Sequence, residues 1–241
     1  MNKYVKMIIA SVILLLAGLL VCGISFAALG FDPSKLRTTN YTLFSEEIGD
    51  SFKDIMIRGD AESITIKTSE DKTCSVDCFA DGKDKYSIRV EDGTLIVERT
   101  SSQLWFEFAG VLMKRPSITV SLPAGTYGNV TAETDLGGIR VAGLKAGELT
   151  LKTDNGRIDL SETTASGSCE LKTDNGDIRF NGLDAETINI RTEHGDVEGT
   201  ILTDKIFTAK SEMGTVRVPD TSSGGPCVVR TEAGDINIAI R

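Results

Sequence analysis

The sequence predicts an all-β fold: a single sheet wound as a β-solenoid (β-helix or β-roll-like), behind an N-terminal transmembrane helix. Three observations carry this reading. Leu151–Leu160 returns almost verbatim as Leu171–Phe180. Weaker copies centre on Gly137, Gly195, Gly214 and Gly234, so six glycines stand 19, 20, 19, 19 and 20 residues apart. Such a period marks a repeat architecture in which each copy is one unit of a stack. Met7–Gly30, finally, is a run of 24 residues without a charge.

Taken in order, residues 1–30 form a transmembrane anchor or signal segment. About 20 apolar residues cross a bilayer as a helix, and this run is longer than that. Ser25-Phe26-Ala27 offers small residues at signal-cleavage spacing, but the apolar region is long for a signal peptide, which favours an uncleaved anchor. Leu19–Cys22 is only loosely a lipoprotein box, because Val21 is large where a small residue is needed. Lys3 and Lys6 on one flank face Lys35 and Arg37 on the other, a tie under the positive-inside rule. A first apolar segment followed by a long polar domain exports that domain, so the C-terminal part is expected outside the cell membrane as a single-pass protein.

Residues 31–50 read as a juxtamembrane connector containing Pro33. Residues 51–241 read as one β-strand-repeat domain, with six regular coils in 130–241. Asp54–Arg58, Ser63–Thr68, Cys74–Phe79, Ser87–Glu91, Thr94–Arg99 and Ser117–Leu122 alternate in polarity as half-buried strands do. Asp92-Gly93 between two of them is a two-residue hairpin signal. The aromatic stretch Trp105–Leu112 is expected as a core plug or cap, with a binding loop or membrane wedge as alternatives.

Aligning the copies on their glycines makes the columns legible. Seven before stand Val130, Leu149, Cys169, Ile188, Phe207 and Cys227, and five before stand Ala132, Leu151, Leu171, Ile190, Ala209 and Val229. Three before come Thr134, Thr153, Thr173, Thr192, Ser211 and Thr231. Two after the glycine come Ile139, Ile158, Ile178, Val197, Val216 and Ile236. A period of two puts these on one face, the core. Alternate positions are charged, with Lys152, Lys172, Arg191, Lys210 and Arg230 four before, and Asp135, Asp154, Asp174, Glu193, Glu212 and Glu232 two before.

A stack of hairpins would set Asp174 against Asp177 and Lys172 against Arg179, like charges directly opposite. Coils stacked at ~4.8 Å instead place Arg140, Asp159, Arg179, Glu198 and Arg217 in a ladder of opposite signs. The solenoid is therefore expected. A left-handed corner would explain why every copy keeps its glycine.

With its short apolar segment, the alternating strand Ser117–Pro123 and the T-x-x-G-x-[IV] repeats, the sequence resembles the bacterial putative-adhesin family of β-strand-repeat domains, a domain of unknown function. The match covers roughly residues 50–241. The resemblance implies surface attachment and brings no catalytic residues.

Composition excludes several classes. Beyond residue 30 the chain has 24 basic against 35 acidic residues, which argues against nucleic acid, whose phosphates need a basic face. The five cysteines do not form a disulfide framework. Cys22 lies in the apolar segment, Cys74 and Cys78 share one strand face, and Cys169 and Cys227 fall on a core column, so buried thiols are expected. No catalytic, cofactor-binding or metal residues are assigned. His194, the one histidine, occupies a corner position. Asp154, Asp174, Glu193 and Glu212 read as a solvated acidic column, since calcium β-rolls need a nonapeptide spacing. Arg58-Gly59-Asp60 matches an integrin-binding tripeptide, but the tripeptide is common by chance and sits where a strand turns, so no recognition role is assigned. The segments Ser161–Ser168, Asn181–Thr187, Thr200–Ile206 and Pro219–Pro226 are too short to wall a deep cleft, so no enzyme is expected.

The sequence thus predicts a non-enzymatic, membrane-anchored surface protein, a binding or adhesion module. Its partners would be membrane lipid through the helix, and cell-wall polymer or a membrane protein through the domain. The alternative is an accessory of an envelope-stress or signalling system. Self-association through an uncapped terminal coil around Ile236–Ile240 is a third reading.

Overall fold

The computed structural model describes residues 3–28, 30, 41–70, 72–81, 85–100 and 116–241. Trp105–Leu112, Pro33, Lys35 and Arg37 lie outside the described residues. The chain divides into two units, and each is taken by itself. In the first, α1 (Lys3–Ala28) runs 26 residues. At ~1.5 Å per residue that is roughly 39 Å, more than the ~30 Å of a bilayer's hydrocarbon core. None of its residues is buried. The Ser11 hydroxyl donates to the Met7 carbonyl at 2.9 Å, satisfying a polar group within an apolar helix.

In the second unit the strands before the repeats are β1 (Tyr41–Ile48), β2 (Asp54–Arg58), β3 (Ser63–Ser69), β4 (Cys74–Asp81), β5 (Tyr86–Glu91), β6 (Thr94–Arg99) and β7 (Ser117–Pro123). The first repeats give β8 (Asn129–Thr134), β9 (Ile139–Ala142), β10 (Lys145–Ala146) and β11 (Glu148–Thr153). Next come β12 (Ile158–Asn175) and β13 (Ile178–His194), long because they run around a corner. The last are β14 (Val197–Ile201), β15 (Lys205–Met213), β16 (Val216–Arg217), β17 (Gly225–Ala233) and β18 (Ile236–Ile240).

These strands wind as a β-solenoid. On one side parallel strands stack in the order β6, β2, β8, β11, the second half of β12, the second half of β13, β17 and β15. On the other they run β7, β3, β9, the first halves of β12 and β13, β14, β18 and β16. A short third side is built by β10 on Thr164–Ala165, which lie on Asp184–Ala185. The short segments between the two long sides therefore carry part of the ladder. At one end β5 and β4 pair antiparallel with β6 and β7, and β1 pairs antiparallel with β4. The β5–β6 turn is Asp92-Gly93 with φ of 49° and 75°, the left-handed pair that a tight hairpin requires.

Tyr41–Ile48 belongs to the sheet rather than to the connector expected over 31–50. It pairs with β4 along its whole length, from Tyr41↔Asp81 to Ile48↔Cys74. As an edge strand it buries no residue fully, and Leu43 and Phe44 stay 66% and 52% exposed. The alternation that marks a half-buried strand is therefore missing from it.

The coils do not stack in the order of the sequence. The Gly234 coil (β17 and β18) lies between the Gly195 coil and the Gly214 coil, with Ile188↔Cys227 on one side of it and Phe207↔Cys227 on the other. The sequential charge ladder is corrected accordingly. Arg140, Asp159, Arg179 and Glu198 follow one another, but Asn237 separates Glu198 from Arg217. Among the described residues the uncapped end is likewise the Gly214 coil, and Ile236 and Asn237 have a strand on either side. Packing gives the reason. Cys227, Val229, Ile236 and Ile238 are at most 4% exposed in the inner slot. The Gly214 coil has Phe207, Ala209, Val216 and Val218 at the matching positions, the last three each smaller than its counterpart, and it takes the outside. The entry point is Gly224-Gly225. A Cβ on Gly224 would stand 1.8 Å from the Asp204 carbonyl oxygen, and one on Gly225 1.9 Å from that of Glu186. The other end repeats the device, since β2 and β3 lie between the later strands β6 and β7 and the Gly137 coil.

The repeat glycines are required by close approach rather than by a left-handed corner. Among the six only Gly234 has a positive φ, 156°. A Cβ on Gly156, Gly176, Gly195, Gly234 or Gly214 would come within 2.0–2.1 Å of the carbonyl oxygen of the glycine one coil along. The threonine column closes the same corner. Thr153, Thr173, Thr192, Thr231 and Ser211 donate to the carbonyls of Gly137, Gly156, Gly176, Gly195 and Gly234 at 2.8–3.1 Å. Buried hydroxyls are thereby satisfied, and each coil is pinned to its neighbour.

Candidate functional site

The exposed column four residues before each glycine becomes a stripe of cations. Lys152, Lys172, Arg191, Arg230 and Lys210 stack directly, one per coil. Coil spacing is ~4.8 Å, so like charges adjoin, and acids two residues along the strand offset them. Lys172–Asp174, Arg191–Glu193 and Lys210–Glu212 lie 3.4, 3.9 and 3.2 Å apart. Lys152 instead reaches Glu170 of the next coil at 3.2 Å. Each exposed pair contributes a few tenths of a kcal/mol, enough to set register and too little to hold the fold. In the acidic column, partial burial and then repulsion from Asp154, Asp60 and Glu62 push the Asp135 carboxyl above its ordinary range.

Two buried charge clusters were not read from the sequence. Glu62 occupies the corner position that glycine holds in the repeats, and it is fully buried. Its carboxylate accepts from the backbone N–H groups of Asp60 and Ala61 at 2.7 and 3.0 Å and from the Tyr86 hydroxyl at 2.8 Å. Arg99 lies 3.5 Å away. Gly59 makes room, since a Cβ there would stand 2.9 Å from Glu62 Oε2. The spacing of Ile55, Ile57, Ile64 and Ile66 matches the repeat columns and could have revealed this coil. On the third side Lys205, 4% exposed, pairs with Asp184 at 2.7 Å and also bonds Thr203. The groove there, about 460 Å³, is open and lined by Thr126, Lys145, Ala146, Asp184 and Lys205 among others.

His194 is exposed at a corner, in line with Asn175 and Ala233. Arg58-Gly59-Asp60 is the β2–β3 corner, with Arg58 3.6 Å from Glu133 and Asp60 3.7 Å from Arg99. Cys74, Cys78, Cys169 and Cys227 are free and buried. Burial pushes the thiols of Cys169, Cys227 and Cys78 up to about 12 and that of Cys74 to about 11, so they stay protonated at neutral pH. Among the described residues no group of three or more His, Cys, Asp and Glu side chains is placed to hold a metal.

Regular sides, short turns and shallow grooves define a repeat-built β-solenoid scaffold whose distinctive chemistry lies on its surface. The chain belongs to the Toastrack family, DUF4097, whose model matches residues 52–241. A solved structure of similar fold is that of a putative cell adhesion protein from Clostridium sporogenes ATCC 15579. It is 12% identical over 85% of this chain and 100% of its own, with a TM-score of 0.54. A putative adhesin from Bacteroides fragilis NCTC 9343 is 16% identical over 82% of this chain and 97% of its own, with a TM-score of 0.48. Among curated proteins none matches.

Proposed function

We propose that this chain is a non-enzymatic binding module, anchored in the cell membrane by α1 and displaying its solenoid outside. The observation that carries the reading is the cation stripe from Lys152 to Lys210 with its flanking acids. Charges repeated at coil spacing fit an extended, repetitive partner such as a cell-wall polymer, and they do not converge on one small substrate. The Clostridium protein's name, a putative cell adhesion protein, agrees with this. So does the composition of α1, which is long and apolar enough to cross a membrane.

Protease shaving of intact protoplasts carrying a C-terminally tagged chain tests the placement. Loss of the tag, with a cytosolic control intact, is the expected result. A protected tag would overturn surface display and turn the search to intracellular membrane proteins, as an accessory role in signalling would require. Retention of the purified chain on cell-wall polymer, weakened when Lys172, Arg191 and Arg230 are replaced by Gln, tests the stripe. Equal retention of that variant would sink it.

A further inference from the structure

Among the described residues the Gly214 coil is the one repeat left with an open side. Phe207, Ala209 and Val218 are only partly covered, and Val216 is 39% exposed, whereas the matching residues of the Gly156 and Gly176 coils are buried. Ile206 and Met213 on the same coil are 49% and 72% exposed. Among the described residues no strand pairs with the outer edge of β15 or β16. The hydroxyl column also stops here. Ser211 donates to Gly234, and among the described residues no hydroxyl reaches the Gly214 carbonyl.

An open coil edge matches another coil edge in backbone pairing and in side-chain layers. The sequence of β15 says which edge. Laid antiparallel against a second β15, with Ser211 opposite Ser211, Lys210 faces Glu212 of the other copy, twice by symmetry. In the same register the long Met213 covers the small Ala209 of the other copy, again twice. The opposite end of the stack offers no such match. Its last antiparallel strands keep edges of their own, but on β5 Arg89 already pairs with Glu98 and Glu91 at 2.7 and 3.3 Å, and β1 carries Glu46 and Glu47 with no base.

We propose that the Gly214 coil is a homophilic docking surface at which two copies of this chain join tail to tail through β15, with Lys210 opposite Glu212. The contact is isologous and closed, so it ends at a dimer and does not grow into a filament. β1 lies at the far end of the stack, so the two copies' β1 strands lie at opposite ends of the dimer. This deepens the binding-module reading by naming a partner.

The test is sedimentation velocity on the full chain in mild detergent, where membrane orientation and polymer binding have no bearing. Lys210 and Glu212 are exposed, with side chains 68% and 60% accessible, so reversing either leaves the fold intact. The wild type is expected to form a concentration-dependent dimer. Lys210→Glu alone and Glu212→Lys alone should each weaken it about tenfold, from two like-charge cross-strand pairs. Mixing the two variants should restore the dimer, because one supplies two acids where the other supplies two bases. A wild type that stays monomeric, a species that grows without limit, or a dimer indifferent to both reversals overturns the proposal.

Discussion

Thr231 donates its side-chain hydroxyl to the carbonyl oxygen of Gly195, 36 residues earlier, at 3.1 Å. Gly214, the repeat glycine that lies between them in sequence, takes no part. One hydrogen bond thus records the order of the coils. Replacing Thr231 by Val keeps the shape and removes the donor, leaving the part-buried Gly195 carbonyl short of this partner. The expected loss is about 1–2 kcal/mol in chemical denaturation, with Thr231→Ser close to wild type. Equal stability of the Val and Ser variants would show that the hydroxyl column adds nothing.

The corner glycines give a sharper contrast. A Cβ at Gly195 would stand 2.0 Å from the Gly176 carbonyl oxygen, so backbone must move apart across two coils. Gly49 has nothing within 4 Å of the same position. Gly195→Ala is expected to cost more than ~3 kcal/mol and Gly49→Ala less than ~0.5 kcal/mol, read from melting temperatures. Similar effects at the two sites would contradict close approach as the reason for the repeat glycine.

At Glu62 the isosteric change to Gln is expected to be expensive. Its two oxygens accept from Asp60 N–H, Ala61 N–H and Tyr86 O–H. An amide places a donor against donors on one side or the other, and Arg99 loses its buried counter-charge. A loss of about 3 kcal/mol follows, with about 1 kcal/mol for Tyr86→Phe. A Gln variant as stable as wild type would mean that the carboxylate is solvated.

The thiols make stability depend on alkaline pH. Cys169 and Cys227 are raised from an ordinary 9.0 to about 12 in the folded chain. Above pH 9 the unfolded chain gives up these protons while the folded chain keeps them, so stability is flat below that point and falls as pH rises towards 12. Denaturation midpoints over this range should fall less steeply in a Cys169→Ala, Cys227→Ala variant. At pH 8 the four buried thiols of the folded protein should resist alkylation and react only on unfolding. Rapid alkylation in the native state would contradict their burial.

Much of the fold is legible in the sequence because burial imposes a period of two and coil corners impose glycine. Leu149, Leu151, Thr153 and Ile158 announce one coil, and the same columns return five times. The order of coils is not legible from them. Every copy presents the same columns, so the Gly214 and Gly234 coils could each sit on the Gly195 coil. The choice rests on which inner face is more apolar and on a Gly-Gly entry that reads like any turn. Tyr41–Ile48 is hidden for a different reason, since an edge strand with one neighbour need not alternate. The surface was readable as columns of charge, but Glu62 and Lys205 were not. Nothing local distinguishes a buried carboxylate or ammonium from an exposed one.

Intercalation of the last coil is tested most directly by cross-linking engineered cysteines on the outer face. Asn189 and Val228 are neighbours on adjacent strands, whereas Val228 separates Asn189 from Thr208. Adjacent strands lie ~4.8 Å apart and next-but-one strands about twice that, beyond disulfide reach. Under mild oxidation Asn189→Cys with Val228→Cys should form an intramolecular disulfide, and Asn189→Cys with Thr208→Cys should not. The reverse result would mean that the coils stack in the order of the sequence.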